Sequence, residues 1–190
     1  MEKMRKTELV RRAVAWLVAE RRAQGGWLPL GEVPDAGAPF EVHWRAFRAL
    51  VNTREAAPAD PAFLAVQDEL LRGMIEEAGV TRVRDIAPTA RDGRLSIWQG
   101  DITTLAADAV VNAANAEMTG CWRPLHACID NAIHTYAGVQ LRLSYQANRN
   151  ISVGIETDLG LVRNTPHDRR NCTAMISLAW HFRNAIDTFQ

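Results

Sequence analysis

Three cysteines in 190 residues are too few for a paired disulfide framework, which points away from a stapled secreted domain and toward a reducing compartment where thiols are free to bind metal. An excess of either charge is also missing. With 22 Lys+Arg against 22 Asp+Glu the net charge is zero, so no global field draws the chain to nucleic acid or to an anionic membrane. No apolar run approaches the roughly 20 residues of a membrane span, and the opening Met-Glu-Lys-Met-Arg-Lys lacks the uninterrupted apolar core of a signal peptide. The expectation is a cytoplasmic chain with neither a nucleic-acid nor a membrane partner. What is present is ordinary: 47% hydrophobic and 23% charged residues, close to the average soluble globular domain. That excludes bulk disorder, a collagen-like repeat and a coiled coil, and the length suits one large or two small domains.

Apolar periodicity divides the chain. Between residues 7 and 24, Leu9, Val10, Ala13, Val14, Leu17 and Val18 form the stripe of an amphipathic helix that Gly25-Gly26 stops. Trp27 to Pro39 reads as a loop, and Val42 to Val51 resumes a helical pattern through Phe47 and Leu50. A third helix carries both end signals. Asp60 is its N-cap and Pro61 its first residue; Phe63, Val66, Leu70, Leu71, Met74 and Ile75 make its buried stripe, and Gly79 stands at the C-cap. Beyond Gly93 the texture changes. Leu95 and Ile97 alternate with Ser96 and Trp98, and Ala109-Val110-Val111 is a short β-branched run, so both segments are expected as strands. Between them Gly100 to Leu105 reads as a turn with Asp101 at its tip, and Ile129 to Val139 reads as a helix. Strand, turn, strand and helix in this order argue for an α/β sandwich with ligand loops at the strand ends.

The densest chemical constellation is Gly120-Cys-Trp-Arg-Pro-Leu-His-Ala-Cys128. Cys121, His126 and Cys128 can wrap one tetrahedral zinc from a single loop, because soft sulfur and borderline nitrogen suit that ion. Three protein ligands leave a position open for water or substrate. The bland alternative is two small apolar thiols with an unrelated histidine nearby, since the spacing is not a common finger pattern. Cys172 is remote and reads as structural or incidental. A second constellation pairs Asn112 and Asn115, two asparagines separated by alanines at a strand end, with Asp130. Such amides suit close approach of a polar ligand, or equally a helix cap or Asx-turn. Asp130 can orient a water or favour the positive end of its helix, and His134, four residues on, reads as a partner that positions the loop rather than as a fourth ligand.

Three runs together resemble a known family: Trp98-Gln-Gly-Asp-Ile-Thr-Thr-Leu105, Asp108-Ala-Val-Val-Asn-Ala-Ala-Asn115, and Gly120 through the Cys/His loop to Gly138. In order and spacing they are similar to the macrodomain, in its zinc-dependent microbial branch of protein-ADP-ribose hydrolases. Phe47 to Arg54 and Gln67 to Leu71 resemble that branch's helical N-terminal extension. The resemblance implies a three-layer α/β/α sandwich that hydrolyses the bond between ADP-ribose and a modified protein side chain. It assigns Asp101 to the adenine amino group with the Ile102 backbone beside it, Asn115 and Asp130 to the distal ribose and the attacking water, and Asn112 to loop support. Cys121, His126 and Cys128 match the branch's zinc ligands. The implied partners are an ADP-ribosylated protein, with a lipoyl-carrier protein and a sirtuin-type transferase as the branch's associates.

The implied organisation is a helical extension over residues 1–92, the first part of a truncated macrodomain over 93–142, and a divergent tail over 143–190. After Arg142 nothing matches the family's glycine-rich phosphate loop. Composition changes there as well: the first 142 residues hold 25 alanines and four asparagines, the last 48 hold four alanines and five asparagines. A shifted reading frame or a fused fragment near residue 143 is the expected cause, and an intact frame on resequencing would remove it. Thr173 to Phe189 carries an amphipathic helical pattern, and His167 to Arg170 reads as a solvated basic loop. Two further functional readings stay open at this point: a catalytically weak ADP-ribose-binding module, and an inactive truncated macrodomain. A zinc nucleobase deaminase is disfavoured, because the His-x-Glu and Pro-Cys-x-x-Cys of that chemistry are missing.

Overall fold

The computed structural model describes residues 1–114 and 120–141. Three helices form its body: α1 (Lys3–Ala23), α2 (Phe40–Asn52) and α3 (Pro61–Ala78). The six residues that make the expected stripe of α1 are its buried residues, and they meet Ala46, Phe47, Leu50 and Val51 of α2 and Phe63, Leu70 and Leu71 of α3. Trp16 stacks on Phe63 with ring centroids 4.3 Å apart, and Trp44 stacks on Phe47 at 5.4 Å. Each large side chain removed from water here contributes roughly 1.5–3 kcal/mol. The end signals of α3 act as expected. Asp60 Oδ1 accepts from the Ala62 N–H at 2.7 Å, and the chain leaves the helix at Gly79 with φ of +90°.

Charged groups clamp the same body. Arg54 is buried, and its guanidinium donates to both carboxylate oxygens of Glu20 at 2.8 and 2.7 Å and to the carbonyls of Ala57 and Pro58. The pair thus ties the end of α1 to the loop after α2, and its planar fork uses geometry a lysine could not match.

Past Gly79 the architecture thins. Strands β1 (Thr81–Arg82) and β2 (Leu105–Ala106) form a two-residue parallel pair, in register Thr81 with Leu105 and Arg82 with Ala106. A parallel pair needs a long crossover, here residues 83–104. The last described helix, α4 (Ile129–Ala137), packs on α2. It ends at Gly138, whose φ of +77° favours glycine and whose missing Cβ leaves room for the Gln67 amide.

Two expected strands are corrected. Leu95 to Trp98 forms only an isolated antiparallel bridge between Pro88 and Ser96, and 109–111 is irregular. Leu95, Ile97 and Val111 are 58%, 86% and 53% exposed. Alternation marks residues able to bury one face, but a strand forms only where a neighbouring backbone completes its hydrogen bonds. Among the described residues the backbone at Pro88 and Thr89 offers the first segment a single bridge and no ladder, and 109–111 pairs with no strand. The paired strands instead lie at 81–82 and 105–106, where the sequence carries no alternating run. The architecture of the described residues is therefore helical with a small parallel sheet. The tail helix expected over Thr173 to Phe189, and Cys172, lie outside the described residues.

Candidate functional site

The Cys/His loop runs into α4, and the helix start organises it. Cys128 is the N-cap: its Sγ accepts from the Asn131 N–H at 3.4 Å, the role a serine or aspartate side chain ordinarily takes. Burial pushes the Cys128 thiol up, the Asn131 N–H pulls it back, and neighbouring Cys121 and Asp130 add to the rise. Cys121 Sγ lies 3.4 Å from His126 Nδ1. One donor atom from each of Cys121, His126 and Cys128 lies within 4.8 Å of the others, with the two thiols half-buried and His126 exposed.

Metal bond lengths test the fit. Tetrahedral zinc, with Zn–S of about 2.3 Å and Zn–N of about 2.0 Å, separates sulfur from nitrogen by roughly 3.5 Å. The Cys121 to His126 distance of 3.4 Å matches, and the donor set is one that zinc takes with a position left open. These three side chains can hold a metal ion.

Behind the loop lies a buried polar cluster. Asp130 is 4% exposed, its Oδ1 accepts from Asn112 Nδ2 at 2.7 Å and lies 3.5 Å from His134 Nε2. Asn112 thus donates to the carboxylate, and His134 sits one helical turn from Asp130 on the same face. The carboxylate is held between an amide and an imidazole, an arrangement that fixes its orientation.

Asp101 opens a 3-10 turn at Ile102–Thr104, and its Oδ1 accepts from the Thr103 N–H at 2.9 Å and the Thr103 hydroxyl at 2.7 Å. Its carboxylate also helps to push the Tyr136 phenol up, after burial as the larger cause, while Arg48 opposes the shift. The Asp101 turn, α2 and α4 therefore share one neighbourhood. Asn115 lies outside the described residues.

Sequence reasoning gave no role to Asn52, Asn131 or Thr135, all of them buried at 1% exposure or less. The readable signal was Asn52 itself, an amide ending a helix otherwise buried through Phe47, Leu50 and Val51.

Comparison with known proteins agrees with the motifs. No protein-family profile matches the chain. Over 136 residues it is 44% identical to a protein-ADP-ribose hydrolase of Treponema medium, which covers 70% of this chain and 47% of that protein. Over 120 residues it is 47% identical to a protein-ADP-ribose hydrolase of Staphylococcus aureus strain Mu50, covering 60% and 44% respectively. The chain spans about half the length of the curated relatives it matches. The resemblance to protein-ADP-ribose hydrolases read from residues 98–138 is borne out by these relatives.

Among the described residues, no helix is long and apolar enough to cross a membrane.

Proposed function

We propose that this chain carries the metal loop and the catalytic carboxylate of a zinc-dependent macrodomain hydrolase that removes ADP-ribose from mono-ADP-ribosylated protein side chains. The observation that carries the reading is the juxtaposition of Cys121, His126 and Cys128 with the buried, oriented Asp130 at the start of one helix, in a chain similar to protein-ADP-ribose hydrolases. When bound, zinc supplies a Lewis-acid position that can polarise a ribose hydroxyl or a water. The chain's own residues do the rest. Asp130, oriented by Asn112 and His134, accepts a proton from the attacking water. Asn115 holds the distal ribose. Asp101 keeps Oδ1 for Thr103 and accepts the adenine amino group through Oδ2, with the Ile102 backbone beside the ring.

On this reading residues 1–92 are a helical extension, 93–142 belong to a three-layer α/β/α sandwich, and 143–190 are a divergent tail. The setting is cytoplasmic, with a lipoyl-carrier protein modified by a sirtuin-type transferase as the partner pair. The lack of a glycine-rich phosphate-loop motif after Arg142 favours a second reading, a weak ADP-ribose-binding module without turnover.

Calorimetric titration of ADP-ribose into zinc-loaded protein, followed by an assay for ADP-ribose released from a mono-ADP-ribosylated protein, separates the two. Asp130→Ala is expected to abolish release while sparing nucleotide binding; release equal to that of the parent chain would sink the hydrolase assignment. Binding without release in the parent chain would favour the binding module.

A further inference from the structure

A chain of amides runs from the helical body to the metal loop. Asn52, the last residue of α2, is fully buried, and its Nδ2 lies 2.6 Å from Asn131 Oδ1 and 2.8 Å from Thr135 Oγ1. Asn131 is equally buried, and its own Nδ2 donates to the Arg123 carbonyl at 3.0 Å, inside the Cys/His loop. That carbonyl also accepts the backbone N–H of His126 at 3.2 Å. The backbone N–H of Asn131 meets Cys128 Sγ. Thr135 closes the arrangement by donating from Oγ1 to the Asn131 carbonyl at 2.7 Å. One asparagine side chain is thus joined through Asn131 to the Cys128 sulfur, and through Asn131 and the Arg123 carbonyl to the backbone of His126.

The polarity of the chain gives it direction. Asn131 must present its oxygen to Asn52 and its nitrogen to Arg123, because the reverse orientation would set donor against donor at Asn52 and acceptor against acceptor at the Arg123 carbonyl. In a dry interior that mismatch is expensive, so Asn52 decides which way Asn131 faces. Asn131 in turn holds the loop carbonyl from which His126 hangs.

We propose that Asn52 is a positioning residue for the metal loop, acting through Asn131 to set the spacing of Cys121, His126 and Cys128. The proposal rests on reading those three side chains as zinc ligands. Partners behind first ligands, when replaced, ordinarily lower metal affinity about 10–100-fold, and Asn52 is such a partner one residue further back.

The test uses the full chain and zinc alone. Asn52→Asp keeps the size of the side chain but sets a carboxylate against Asn131 Oδ1. Zinc affinity, measured by competition with a chromophoric chelator, is expected to fall about 10–100-fold, while the thermal melt remains cooperative. In metal-free protein carrying Cys172→Ser, thiol labelling of Cys121 and Cys128 is expected to speed up as the loop loosens. Thr53→Ala is the control: its hydroxyl bonds the Ala49 carbonyl at the same end of α2 but takes no part in the chain. A general structural effect would lower zinc affinity in both variants. Unchanged zinc affinity and labelling rate in a folded Asn52→Asp variant would overturn the proposal, as would an equal loss in Thr53→Ala. If the parent chain takes no zinc, the zinc reading fails and the labelling rate alone decides the positioning role. If Asn52→Asp does not fold, Asn52→Ala, which removes the amide without adding a charge, carries the same two measurements.

Discussion

The helices over residues 3–78 and the segment over 81–111 have comparable apolar material and use it differently. In the first, Phe47, Leu50 and Leu70 are at most 1% exposed; in the second, Val83, Leu95, Ile97 and Val111 are between 46% and 86% exposed. A helix completes its backbone hydrogen bonds within itself, so it only needs a face to bury. A strand has no such independence and waits for a neighbour. The difference explains why one region is a packed body while the other, apart from β1 and β2, is loop and turn.

Truncation at matched positions sharpens that comparison most. Phe47→Ala should cost about 3–5 kcal/mol in urea unfolding, as a large aromatic lost from a filled core does, whereas Ile97→Ala should stay within about 0.5 kcal/mol, as surface changes do. Similar costs at the two positions would mean that Ile97 is buried in solution and the contrast is false.

A smaller effect is expected where the regions join. Gln67 of α3 is fully buried, accepts from the Val139 N–H at 3.0 Å through Oε1 and donates to Gln140 Oε1 at 2.8 Å. Gln67→Leu keeps the bulk and strands that N–H, a loss of about 1–3 kcal/mol. Hydrogen exchange should report it as lost protection at Val139 with little change inside α1. Uniform loss of protection across all helices would show instead that the two regions unfold as one unit.

The smallest effect belongs to the surface. Lys6 Nζ bonds Glu77 Oε2 at 2.5 Å, tying α1 to α3, and this holds the Glu77 carboxyl below its ordinary range. A depressed carboxyl stabilises the fold above its unfolded pKa of about 4.3, and the contribution fades as pH falls through the folded value. The stability gap between the parent chain and Lys6→Ala should therefore be small at neutral pH, close in acid and shrink in salt. A gap that widens in acid would contradict the assigned cause.

Legibility in the sequence follows the same divide. The six-residue stripe of α1, the Asp60 cap and the Gly79 exit were readable because each depends on residues within a turn of one another. The strands were not, because pairing depends on a partner elsewhere in the chain. Leu95 and Ile97 alternate as a strand should and yet stand in solvent, while Thr81 and Arg82 show no pattern and yet pair. At the site, Cys121, His126 and Cys128 announced themselves by residue type within one loop, and Asp130 by its place at the head of a helix. Asn52 stood out as an amide ending a buried helix, but its partner Asn131 lies 79 positions away, so the link to the site was not legible.

What the sequence determined by itself is the set of local devices: three amphipathic helices, with both ends of the third and the stop of the first, a turn capped by Asp101, and a thiol and imidazole loop feeding a helix. Each is settled by side chains within reach of their own backbone. What only the tertiary structure decided is which polar groups face one another in the interior: Asn112 on Asp130, Asn52 on Asn131, Gln67 on Val139. Hydrogen bonds over such separations are specified by how helices pack, and packing depends on the shapes of whole faces, which no local pattern encodes.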